Sequence, residues 1–169
     1  MWKLDWSNQP QVNAAEPVVL DDKTLLIGSG YDKGGAEIRV SRDGDQWKAE
    51  LVRKAKSFRL KFNAPVVKNG YAYGLDESIM TCLDLKEFKT KWKKGRYGFG
   101  QLLLIGDEIL VLTEQGEIAI VQASPERVAG PANEGRAEAT KAATERRAMR
   151  IIGNLNGCLG RLTAPATRD

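Results

Sequence analysis

Apolar and polar positions alternate in short runs over most of the chain, and the pattern is cleanest in residues 64–94, APVVKNGYAYGLDESIMTCLDLKEFKTKWKK. Four apolar runs occur there, at residues 65–67, 71–75, 79–85 and 88–93. Val, Ile, Tyr, Phe and Trp dominate them, and these residues suit a pleated, half-buried surface. Asn69-Gly70 separates the first two runs and is a strong hairpin signal, because both turn positions need φ > 0. Asp76-Glu77-Ser78 and Lys86-Glu87 separate the others. The stretch therefore predicts four antiparallel strands in one small sheet.

The pattern recurs. Trp-Lys stands at residues 2–3, 47–48 and 92–93, in steps of 45, and Pro-Val-Val stands at 17–19 and 65–67. Four short strands with their turns fill about that length, which is the period of propeller blades. Residues 103–123 lie on 66–85 as a third copy, with Gly106-Asp107 on Asn69-Gly70 and residues 114–116 on Glu77-Ser78. The expected fold is all-β, a partial β-propeller of two to three four-stranded antiparallel blades at about 14–51, 64–94 and 101–123.

In chain order, residues 1–6 read as the last strand of a preceding blade and 7–15 as a polar connector. Strands are predicted at 17–20, 24–28, 37–41 and 46–51, with a long glycine-rich loop at 28–35. Residues 52–61 form a basic connector in which alternating Phe58, Leu60 and Phe62 predict a short strand. The third copy offers strands at 102–105, 109–113 and 117–122 and no fourth. Residues 124–169 drop the aromatics and become a basic, Ala- and Arg-rich tail. That tail is expected to be irregular, a frayed helix over 134–150 or disorder, because almost no large apolar residue is there to dock it.

Charge removes several classes of function. Residues 1–123 hold 18 Lys and Arg against 17 Asp and Glu, and 124–169 hold 8 against 5, so the β part is near neutral and no nucleic-acid partner is expected. With no histidine in the chain, a Ser-His-Asp triad is excluded. Cys82 and Cys158 are too few for a disulfide framework. No run of apolar residues is long enough to span a membrane as a helix, and the N-terminus lacks the basic start and apolar stretch of a signal peptide.

The segment PVVKNGYAYGLDESIMTCLDL followed by KTKW resembles the pyrroloquinoline-quinone-like (PQQ-like) β-propeller repeat. The resemblance covers about residues 14–123, although Cys82 replaces the usual Ala and the glycine before Ile79 is missing. It implies that the fourth-strand tryptophans, Trp47 and Trp92, dock between neighbouring blades. It also implies kinship with non-catalytic, many-bladed bacterial proteins that act as scaffold or binding surfaces, often in the periplasm or cell envelope. Such proteins close six to eight blades, so the chain reads as a fragment whose partners are the missing blades or another protein. The alternative is part of a PQQ-dependent dehydrogenase, with its quinone and calcium held elsewhere.

No catalytic, cofactor-binding or metal-binding residue is assigned. GSGYDKGG at 28–35 lacks the Gly-Lys-Ser/Thr of a phosphate loop and reads as an inter-strand turn. Asp76, Glu77, Asp107 and Glu114 read as turn residues. The candidate ligand or partner loops hold Tyr31, Arg96, Tyr97 and Gln101, the last three in GRYGFGQ at 95–101. There Tyr97 and Phe99 serve equally well as core plugs of a blade crossover.

Overall fold

The computed structural model describes residues 2–126 together with Met149 and Gly153. The chain divides into two compact units, Met1–Val128 and Ala129–Asp169. The expected tail structure at 127–169, and Cys158 with it, lies outside the described residues, apart from helical positions at Met149 and Gly153.

The first unit consists of antiparallel β-sheets in strict meander order. The first sheet holds β1 (Val18–Asp21), β2 (Thr24–Ser29), β3 (Gly34–Asp43) and β4 (Gln46–Ala55). The central sheet holds β5 (Val66–Lys68), β6 (Tyr71–Asp76), β7 (Ile79–Asp84) and β8 (Lys89–Arg96). The third holds β9 (Gln101–Ile105), β10 (Glu108–Leu112) and β11 (Ile118–Gln122), three strands among the described residues. Asn69 and Gly70 both have φ > 0 in the β5–β6 hairpin, as their pairing requires.

The pleat divides each strand between two faces, and both faces of the central sheet are covered. Ala72 and its cross-strand partner Leu83 join Leu26 and Ala55 of the first sheet in one buried cluster. Tyr73 and Cys82, with Leu75 and Met80, join Ile109 and Val111 of the third sheet in another. The sheets thus stack face to face in sequence order, which is the architecture of a partial β-propeller. Repeat register is kept: Ile109 and Val111 turn toward the preceding sheet as Ala72 and Gly74 do.

Between the first and central sheets lies a wedge from the connector. Phe58 and Leu60 are completely or almost completely buried. A Cβ on Gly28 would stand 2.7 Å from Leu60, one on Gly74 2.8 Å from Leu60, and one on Gly35 3.1 Å from Phe58. Glycine is needed at these places for close approach. The connector is irregular from residue 56 to 65, so the short strand expected there does not form: Phe58 adopts φ 68° and breaks the extended path. Phe58 and Leu60 are buried, while Phe62 is exposed.

Three further expectations change. Residues 2–7 form no strand. The long glycine loop shrinks to residues 30–33, because Gly28 belongs to β2 and Gly34 and Gly35 to β3. Trp47 does not dock between sheets: β3 and β4 run past the end of β2, whose pairing stops at Arg39, so Trp47 sits exposed on the overhang beneath Arg42.

Overpacking and emptying the wedge should both destabilise. Gly28→Val is expected to cost about 2 kcal/mol and Leu60→Ala about 3 kcal/mol, read from urea midpoints. Gly28→Ala combined with Leu60→Ala should cost less than the sum of the two, because the new methyl enters the space vacated by Leu60.

Candidate functional site

The meander sends turns to two opposite edges of the stack. One edge carries the tight β5–β6 and β9–β10 turns, where Lys68 bridges to Asp107 and the Gly106 carbonyl. The other carries the β2–β3 and β6–β7 turns and both inter-sheet connectors. At this second edge Tyr31, Asp32, Glu77 and Ser78 all have φ between 48° and 73°. These are unfavourable conformations for residues with a Cβ, and such strain clusters where side chains are held for use.

Lys61 organises the surface. Its ammonium lies 4.7 Å from the Tyr31 ring centre and 4.8 Å from that of Phe99, and forms a 2.9 Å ion pair with Glu77. Phe62 meets Phe99 edge to face at 5.9 Å, and Gln101 Nε2 donates to the Phe62 carbonyl at 2.9 Å. Arg96 donates to Ser78 Oγ at 2.7 Å. The backbone N–H of Phe99 donates to Glu114, and that of Glu114 to the Tyr97 carbonyl, which ties in the third sheet. Tyr31 and Phe62 remain 39% and 45% exposed.

Tyr31 and Gln101, 70 residues apart in the chain, therefore meet in one cluster through Lys61, Phe62 and Phe99. Arg96 joins its margin through Ser78. Tyr97 turns inward and packs against the cluster between central and third sheets, where burial raises its hydroxyl pKa. Trp92 is in that same cluster, tilted against Tyr73 at 6.0 Å, with Nε1 donating to the Ser124 carbonyl.

Beneath the edge lies Asp76, buried rather than simply turning the chain. It accepts from Arg59 Nε at 2.9 Å, the Arg59 backbone N–H at 3.1 Å and Lys93 Nζ at 2.7 Å. Burial pushes its carboxyl up, but the bonds from Lys93 and Arg59 together outweigh that and hold it below the ordinary carboxylate value. Arg59 also reaches Asp32 at 3.2 Å, so one guanidinium joins the β2–β3 turn to the central sheet. Sequence reasoning missed Arg59, Lys61 and Phe62 as surface residues, because a connector read as a strand gives no clue to which loops it meets.

No protein-family model matches the chain, and no curated protein matches it. The crystal structure of BamB from Moraxella catarrhalis is similar at 19% identity and a TM-score of 0.49, covering 66% of this chain and 33% of that one. The chain thus spans about a third of that structure's length.

Among the described residues, no group of three or more Cys, Asp and Glu is placed to hold a metal ion. Burial pushes the Cys82 thiol up to about 11, which leaves it protonated and a poor nucleophile at neutral pH. No helix among the described residues is long and apolar enough to cross a membrane.

The depressed carboxyl of Asp76 fixes the sign of a pH effect. Its stabilising contribution is present above its unfolded value of about 4 and is lost as pH falls through the lower folded value. Asp76→Asn should cost about 3 kcal/mol at pH 7 and flatten the stability loss below about pH 4, measured by urea unfolding across pH.

Proposed function

We propose that this chain is a non-catalytic PQQ-like β-propeller repeat module whose connector edge binds another protein. The observation that carries the reading is the exposed pair Tyr31 and Phe62, held around Lys61 by loops from all three sheets. Exposed aromatics are enriched at protein–protein contacts, since they bury much area at small entropic cost. Strained turns that keep side chains where glycine would be easier agree with a surface maintained for contact. In this reading the chain itself holds neither quinone nor calcium, and Trp92 serves packing.

The test compares affinity capture by the wild-type chain with capture by Tyr31→Ala/Phe62→Ala. A specific co-purifying protein should be lost from the double variant and kept by Lys48→Ala, which lies on the exposed β3–β4 overhang. Loss of both rings is expected to weaken binding about 100-fold or more. Alcohol or sugar oxidation dependent on added pyrroloquinoline quinone and calcium would instead favour a dehydrogenase fragment.

A further inference from the structure

The connector edge carries a second cluster, on the other side of the β2–β3 turn from Lys61. Trp6 of the N-terminal segment lies there, its ring centre 4.7 Å from Lys33 Nζ and 5.5 Å from Lys54 Nζ. Lys33 belongs to the β2–β3 turn, and Lys54 lies near the end of β4 opposite Ala36. The pleat puts Lys54 on the outer face of the first sheet, because its neighbours Arg53 and Ala55 turn toward the central sheet.

Local structure holds the three side chains together. Asn8, just beyond Trp6, is buried; its Nδ2 donates to Ser29 Oγ at 2.8 Å, and Ser29 Oγ donates to Asn13 Oδ1 at 2.6 Å. The Val12 backbone N–H donates to Asn8 Oδ1 at 2.9 Å, so the N-terminal segment is pinned to the end of β2. The turn is pressed down at both ends: a Cβ on Gly30 would run into Lys61, and one on Gly34 into the Ala55 carbonyl. Lys33 therefore projects from a turn with little room to move.

Two like charges converge on one ring without an acid to balance them. Among the described residues neither Lys33 nor Lys54 forms an ion pair. Asp32 pairs with Arg59, and Asp5 accepts from the Ser7 backbone N–H at 3.0 Å. That bond is the main cause holding the Asp5 carboxyl below its ordinary value, with Lys33 and Lys3 adding a smaller coulombic pull. Trp6 Nε1 is buried with no hydrogen-bond partner among the described residues. An indole N–H can only donate, and leaving it buried and unpaired is costly. What the cluster lacks is a negatively charged acceptor.

We infer that Trp6, Lys33 and Lys54 form a subsite for the carboxylates of an acidic peptide segment on the protein that binds the connector edge. The inference rests on the protein-binding reading of that edge and names the chemistry of the partner. Tyr31 and Lys33 flank Asp32 in one turn, so a segment that covers the Tyr31 ring continues onto the lysines. A carboxylate accepts charge-assisted bonds from both ammoniums. The Trp6 ring is only half-buried, and a small rotation turns its N–H to the same group. A neutral or basic segment leaves both lysines uncompensated, which makes the subsite selective by charge.

An NMR titration tests it, followed on the indole N–H resonance that Trp6→Phe removes. A capped peptide of alternating Glu and Ser should move that resonance downfield, whereas its Gln–Ser counterpart should leave it in place. Lys33→Gln/Lys54→Gln should weaken binding of the Glu–Ser peptide about tenfold or more, and Lys33→Arg/Lys54→Arg should keep it. The backbone amide spectrum reports that each variant retains its fold. Tyr31→Ala/Phe62→Ala should leave this titration unchanged, so failure of the subsite and failure of the aromatic pair to bind protein are read separately. An indole resonance that the Glu–Ser peptide does not move, an equal response to the Gln–Ser peptide, binding that survives loss of both lysines, or a shift given by inorganic phosphate but not by the peptide would each overturn the proposal.

Discussion

The structure depends on how closely its first two sheets can approach a piece of chain that belongs to neither. Phe58 and Leu60 fill the space between them, and they fit because Gly28, Gly35 and Gly74 present bare backbone. Two flat sheet faces about 10 Å apart leave a gap at their diverging margin. Large side chains from an inter-sheet connector fill that gap better than strand residues could, since they enter from the edge. Arg53 secures the same interface from the far side. It pairs with buried Glu37, donates to the carbonyls of Leu85 and Lys86, and lies 5.0 Å over the Phe88 ring.

Polar groups fix the register where apolar contact alone would allow sliding. Glu37 is buried on the inward face of the first sheet opposite its partner Arg53, so the sheet cannot shift by a residue without leaving a buried carboxylate unpaired, a costly outcome. Asp76 does the same at the connector edge through Arg59 and Lys93. Asn63, buried in the connector, accepts from the Leu75 N–H. The stack is therefore hydrophobic in its driving force and ionic in its alignment.

How much of this was legible in the sequence depended on distance along the chain. Hairpin register was readable, because Asn69-Gly70 dictates a two-residue turn and alternation then assigns each face. The three-stranded third sheet was readable for the same reason. The connector was not: period-two alternation at Phe58, Leu60 and Phe62 is shared by a strand and by an irregular segment wedged between two sheets. The 45-residue spacing located Trp47 in its strand but not its packing, since nothing local says that β3 and β4 outrun their neighbour. Tyr31 and Gln101 were nameable as loop residues, yet their common neighbour Lys61 follows only from tertiary stacking.

Stacking in chain order also sets how the fold comes apart. Among the described residues each buried cluster joins sheets adjacent in sequence, which makes cooperativity nearest-neighbour and one-dimensional. The central sheet, covered on both faces, is the thermodynamic keystone, whereas the third sheet is covered by it on one face only. Opening then begins with the third sheet and travels inward like a zip, giving amide exchange rates graded along the chain rather than uniform. The first unit behaves less as a core that melts at once than as three tiers of which the last loosens first.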